Sequence, residues 1–534
     1  MKFFRMCIPA LCLSVIVLAC TGEKQKKAGA DNPGTKQIVL ASYRDGRIDE
    51  LDAASYNGPH FLYKMIYEGF VEDGGNGAII PKLAETWDID PDGKTYTFHL
   101  RKGVRFSDGT DFNADAVIFN MNRWINNKRH SNLMSSKVNT IEAVDEYTVK
   151  IEFADTYYAI LTELSYPRPN RFLSLSSIKQ EGTFIKPVGT GPWMIDTYIK
   201  DEEFSLVPNP YYWGEKPKID RLVFKVITDG QSRAFALQSG EIDILGGDLI
   251  AKIPMESISE LKNLRTFDTY TEGTLCAHFI AFNQSLPIFQ DKNVRLAMNY
   301  AIDKKSIAEN LFDGIGIEAK GLYQKHTPYT TEKNNYCAPY NKEKAEILLE
   351  DADWKDIGGG VREKNGVRLE FNFILSTGEF PEWKPLAEFI QAQFAEIGVK
   401  VNLIILDKNG YDEVTLTTRR YDICLKRTAS DSWVPHSSLL ELFGPASQSV
   451  EKNVGNAWFD EILYQNILKT LASLDEQERQ LNYDEVFGYI ADRALTIPVY
   501  HPTTSFAVNS AKVTDFMVGV NNYAPVEWER LNVK

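Results

Sequence analysis

Residues Leu369–Leu406 read LEFNFILSTGEFPEWKPLAEFIQAQFAEIGVKVNLIIL, and they decide the fold class. Leu369–Leu375 and Val399–Leu406 have the length and β-branched or aromatic content of strands. Between them, Lys384–Ile397 places apolar residues at helical spacing. Strand, helix and strand in that order make a β-α-β unit, which builds a parallel or mixed sheet. Outward from it the alternation continues. Ile38–Leu40, Thr95–Leu100, Thr148–Phe153, Phe204–Val207 and Leu222–Ile227 read as strands, and Val294–Leu311 (VRLAMNYAIDKKSIAENL) as a helix. Strands near both ends with a β-α-β block between them predict an α/β protein whose first domain is discontinuous.

The chain has 534 residues, enough for about three structural units at roughly 100 to 200 residues each. Its 59 Lys+Arg against 73 Asp+Glu leave a net charge of -14, which argues against a nucleic-acid binder, since that needs a basic surface to displace counterions. With 43% hydrophobic and 25% charged residues it lies outside the disordered regime and can fill a large core. Its six cysteines include no Cys-x-x-Cys pair, which excludes a zinc ribbon or a thioredoxin-like motif.

Residues 1–19 read as a targeting segment: Lys2 and Arg5 supply the positive region, Met6–Val17 the apolar region, and Leu18-Ala19-Cys20 the cleavage site. Together they resemble a bacterial lipoprotein signal, which makes Cys20 the lipidated first residue of the mature chain. Residues 20–36 read as a flexible tether. No other stretch approaches the ~20 apolar residues of a membrane span. The globular part is therefore expected outside the cytoplasm, anchored to a membrane. Cys276, Cys337 and Cys424 remain in the mature chain, an odd number that leaves at least one unpaired.

Asp88-Ile-Asp90-Pro-Asp92-Gly93 matches the opening of a calcium loop, but His99 stands where a bidentate glutamate is required. Pro91-Asp92-Gly93 is better read as a tight turn between strands. The strings HExxH, GxSxG, GxxxxGK[ST] and a strand-following GxGxxG are absent, so no enzyme class and no catalytic cofactor is indicated.

Longer motifs carry a family resemblance. Trp87–Val117 (WDIDPDGKTYTFHLRKGVRFSDGTDFNADAV), Val188–Trp193 (VGTGPW), Asn209–Ile227 (NPYYWGEKPKIDRLVFKVI), Ser239–Leu245 (SGEIDIL) and Val294–Ile307 occur in order across most of the mature chain. They resemble the large solute-binding proteins of peptide and nickel ABC importers, extracellular solute-binding protein family 5. The resemblance implies a two-lobed type II periplasmic-binding-protein fold with a two-segment hinge. It divides the chain into a first lobe at 37–275, with an extra subdomain at about 60–190, a second lobe at 276–498, and a return to the first lobe at 499–534. It also implies ABC permease and ATPase subunits as partners.

Two regions bear on the ligand. Tyr166-Pro-Arg168-Pro-Asn-Arg171-Phe172 resembles a segment of the nickel-chelate group in which the proline-bracketed arginine grips a ligand carboxylate. Prolines on both sides restrict Arg168, and its planar guanidinium suits a bidentate carboxylate. Arg129 matches a second carboxylate contact of that group. In Lys426–His436, Arg427-Thr428 and Pro435-His436 look like the nickel group, and Trp433 falls where that group has a ligand-facing tyrosine. Ala429 replaces a pocket tryptophan. Asp431 sits where peptide binders pair with the ligand's ammonium, which keeps a dipeptide or oligopeptide ligand open. Asn522 completes the ligand-binding set.

Gly444–Val450 holds no histidine where the nickel group has one on the metal. His60, in GPHF, falls where the group has a ligand-facing methionine, and His501, in IPVYH, aligns with a strand returning to the first lobe. Both are candidate metal contacts, imidazole being suited to Ni(II) and its neighbours. His436, His99, His130, His278 and His326 rank behind them. The resulting expectation is a lipid-anchored binding protein that captures nickel or a related divalent ion as a small-molecule chelate.

Overall fold

The computed structural model describes residues 34–55, 58–75, 77–125, 133–378, 380–428, 435–445 and 457–534. The globular body runs from Lys36 to Lys534. Cys20, Arg129, Asp431 and Trp433 lie outside the described residues, as do Ala429 and most of the 444–450 stretch.

Leu369–Leu406 folds as expected. Glu370–Ser376 pairs in parallel with Lys400–Leu406, from Glu370 opposite Lys400 to Ser376 opposite Leu406. The connecting helix, Trp383–Glu396, buries Leu386, Ile390 and Phe394, a spacing of four that keeps them on one face. These strands edge a six-stranded sheet ordered Ile317–Glu318, Thr496–His501, His278–Phe282, Ile423–Arg427, Glu370–Ser376, Lys400–Leu406. A seven-stranded sheet forms the other lobe, ordered Phe267–Gly273, Thr503–Asn509, Ile244–Gly246, Gln37–Ser42, Arg221–Val226, Glu203–Pro208, Trp193–Ile199. Strands from both ends of the globular body thus share one sheet, the discontinuity read from the sequence.

A four-stranded antiparallel sheet (Ala84–Ile89, Thr95–Leu100, Thr148–Phe153, Val138–Asp145) forms the extra subdomain. The calcium-like string is the turn between its first two strands. Gly93 adopts φ 69°, and the Asp92 carboxylate accepts from Lys94 N at 2.8 Å. The helix His60–Ile66 does not belong to this subdomain, because Phe61, Leu62 and Ile66 pack in the core of the first lobe.

The chain crosses between the lobes twice, at 274–277 and at Pro502, and the crossings touch: Thr274 N and Oγ1 donate to Pro502 O at 3.3 and 3.2 Å. The return therefore falls later than position 499. His501 is the last residue of a second-lobe strand, opposite Ile317, and not part of a first-lobe strand. Only after Pro502, which has no N–H for a ladder, does Thr503–Asn509 pair with the first sheet. The expected helix Val294–Leu311 is likewise two pieces. Lys292–Tyr300 ends, and Asp303 starts a new turn by accepting from Ser306 N at 3.0 Å. Among the described residues Cys276, Cys337 and Cys424 form no disulfide. Among the described residues no helix is long and apolar enough to cross a membrane.

Candidate ligand-binding site

The short helix His60–Ile66 begins after Pro59, whose extended backbone suits an N-cap position. Its C-terminal end is held by the VGTGPW motif. A Cβ on Gly191 would come within 2.5 Å of Met65 O, and one on Gly189 would run into Ile66 O, so glycine alone permits this approach. Packing of Phe61, Leu62, Met65 and Ile66 then leaves His60 at the helix start, facing the Tyr166–Phe172 loop.

There it meets Arg168. The guanidinium donates from Nη1 to Gly58 O at 3.0 Å and from Nη2 to His60 Nε2 at 2.8 Å. The imidazole stacks on Tyr523, centroids 4.7 Å apart and planes at 27°, which brings Asn522 to the same corner. Burial first, then the charges of Arg168, Arg44 and Arg427, hold His60 well below the usual imidazole range. Arg427 ends the strand Ile423–Arg427, its guanidinium 5.7 Å from the Phe380 ring. Sequence reasoning missed Arg44 and Tyr523.

Beneath the loop lies a second charged group. Arg171, with a fully buried side chain, donates to both oxygens of Glu72 at 3.1 and 3.3 Å and to Ser165 O at 2.5 Å. Lys64 pairs with the same carboxylate.

Between the lobes is a cavity of about 910 Å³, whose wall includes Asn522 and His501 with Tyr158, Tyr329 and His436. Arg168, His60 and Arg427 are not in that wall, but His60 stacks on Tyr523, the residue after Asn522. Burial pulls His501 down to about 4, against a hydrogen bond with the Cys276 backbone, so it is a neutral imidazole. Among the described residues no three His, Cys, Asp or Glu side chains are grouped to hold a metal ion. An arginine can only donate, so the His60 Nε2 lone pair that would bind a metal is occupied by Arg168.

The lobes also bond across the cleft. Tyr166, two residues before Arg168, shares a hydrogen bond between its hydroxyl and His436 Nε2 at 2.7 Å, and Tyr158 OH meets Tyr483 OH at 2.8 Å. Burial lowers His436 to about 3, so the ring is a neutral imidazole. Tyr166→Phe leaves that buried nitrogen without its hydrogen-bond partner and should lower the unfolding free energy by about 1–3 kcal/mol. Urea titration measures the loss, and an unchanged midpoint would show that the bond contributes nothing in solution.

Residues 78–449 match the family model for bacterial extracellular solute-binding proteins, family 5. The chain belongs to that family. It is 32% identical over 483 residues to the nickel-binding periplasmic protein of Escherichia coli K12, covering 88% of each chain. It is 28% identical over 481 residues to a di/tripeptide-binding protein of Pseudomonas aeruginosa, covering 84% of this chain and 85% of the relative. The crystal structure of NikA from Brucella suis in complex with Fe(III)-EDTA superposes with a TM-score of 0.85 at 27% identity, covering 93% of this chain and all of that one. The two-lobed architecture is accordingly the type II periplasmic-binding-protein fold. As a family 5 member the protein is an extracytoplasmic ABC solute-binding protein and not an enzyme.

Proposed function

We propose that the protein, lipid-anchored through Cys20, captures nickel or a related divalent metal as a small-molecule chelate and delivers it to the permease and ATPase of an ABC importer. The observation that carries this reading is the convergence of Arg168, Arg44 and Arg427 on the His60 corner. Positive charge gathered in a partly desolvated corner favours a ligand bearing carboxylates. In this reading two ligand carboxylates meet Arg168 and Arg129, a ligand ammonium meets Asp431, and Trp433 packs on the chelator. The metal's coordination sphere comes mainly from the small molecule, in keeping with the absence of a three-ligand group among the described residues.

A second reading, capture of a dipeptide or oligopeptide, draws on the cavity. Its size, about 910 Å³, lies near the upper end of small-molecule sites, and its wall carries Asp73, Glu272, Glu318 and Glu332, acceptors for a ligand ammonium. Calorimetry separates the two. A chelate binder should take Ni(II) alone weakly and Ni(II) with free L-histidine at least ~10-fold more tightly, because chelation supplies most of the donors. Micromolar or tighter binding of dipeptides in EDTA, with no gain from L-histidine, would replace the chelate reading by the peptide one. Native mass spectrometry of protein from its own host distinguishes a trapped chelate from a trapped peptide by mass and isotope pattern.

A further inference from the structure

His60 has two neighbours that fix its chemistry. On one side Arg168 presents an N–H to Nε2 at 2.8 Å, and on the other Tyr523 covers the ring face. A guanidinium has five donors and no acceptor, so the Nε2 it contacts must be unprotonated. A neutral imidazole then carries its proton on Nδ1, and that nitrogen is buried with no hydrogen-bond partner among the described residues. In water the Nε2–H form is the ordinary one, so the tautomer here is imposed by the arginine. The arginine is fixed in return: with Nη1 on Gly58 O and Nη2 on His60, the plane of the fork is set by two points 108 and 110 residues away in sequence.

We propose that His60 is the positioning residue for Arg168: as a neutral Nδ1–H imidazole clamped by Tyr523, it accepts from Nη2 and holds the guanidinium in one orientation, and it does not ligate metal. The proposal rests on the reading of Arg168 as the ligand anchor. It goes beyond that reading by assigning a specificity role to a side chain that would otherwise count as a metal donor. Burial and the neighbouring cations, which hold the imidazole neutral, agree with it.

Two measurements test it. The first needs no ligand. In [15N]histidine-labelled protein at pH 7.5, long-range 1H–15N correlations should show one of the seven histidines, identified by its loss in His60→Gln, protonated on Nδ1 and bare on Nε2. In Arg168→Ala the same residue should revert toward the Nε2–H form. An Nε2–H or doubly protonated His60 in the wild type would overturn the proposal.

The second is calorimetry with Ni(II) and L-histidine. Glutamine places a carbonyl oxygen near the position of Nε2, so His60→Gln should stay within ~3-fold of wild type, whereas His60→Leu, which accepts nothing, should bind ~10-fold or more weakly. Equal losses in the two variants would return the imidazole to the metal and sink the proposal, as would wild-type affinity in His60→Leu. Wild-type affinity in Arg168→Ala fails differently. It removes Arg168 as anchor, and the positioning role with it, while the tautomer found by resonance remains.

Discussion

Arg168→Ala is expected to weaken capture of Ni(II) with L-histidine by ~30-fold or more while leaving the fold intact. Removing one partner of a desolvated charge pair costs about 2–5 kcal/mol, and each 1.4 kcal/mol is tenfold in affinity. The size follows from how the side chain is held. Pro167 and Pro169 restrict the backbone on both sides, and the guanidinium is anchored to Gly58 O and His60 Nε2, so little ordering entropy remains to be lost on binding. Arg168→Lys keeps the charge but cannot span two acceptors and a carboxylate in one plane, so it should fall between wild type and alanine. Urea unfolding of each variant separates lost binding from lost folding. A folded Arg168→Ala protein with unchanged affinity would remove the nickel-type assignment of this loop.

What could be read from the sequence, and what could not, divides by the range of the interaction. The β-α-β unit at 369–406 and the strands Thr95–Leu100 and Thr148–Phe153 are set by local periodicity, and they fold where that periodicity puts them. The break in Val294–Leu311 has a local cause as well. Asp303 followed by Ser306 is a capping signal inside an apolar repeat, and the repeat outweighed it. Periodicity does not locate the second lobe crossing, because IPVYH and TTSFAVN are both strand-like and only Pro502 between them marks the change of sheet. At the candidate site, the restricted backbone of Arg168 was legible because its prolines adjoin it. Arg44 and Tyr523 were not, since they lie 16 and 463 positions from His60 in sequence and their relation to it is made by the fold. The buried charges beneath the loop left one visible trace. Lys64 interrupts HFLYKMI, a helix otherwise apolar after its first residue, where a charge must find a partner inside.

That partner yields the largest expected loss of stability. Glu72→Gln should destabilise the protein by about 3–5 kcal/mol at pH 7, because it leaves the cations of Arg171 and Lys64 buried without their counter-charge. Burial by itself would raise the Glu72 pKa, but Arg171 and then Lys64 outweigh it and bring the carboxyl down to about 2. Burial also lowers the Lys64 ammonium despite the pairing, so the stabilising contact is chiefly that of Arg171 with Glu72. The sign of the pH dependence follows. A carboxylate whose folded pKa lies below its unfolded value of about 4.3 contributes fully above that value, and the contribution is lost as pH falls toward 2. The gap between wild type and Glu72→Gln in urea unfolding should therefore be widest at pH 5 to 7 and shrink at pH 3. A gap that is constant with pH would mean that shape, not charge, is lost. Because Arg171 also holds Ser165 O, three residues before Arg168, the folded fraction of Glu72→Gln should bind Ni(II) and L-histidine more weakly than wild type.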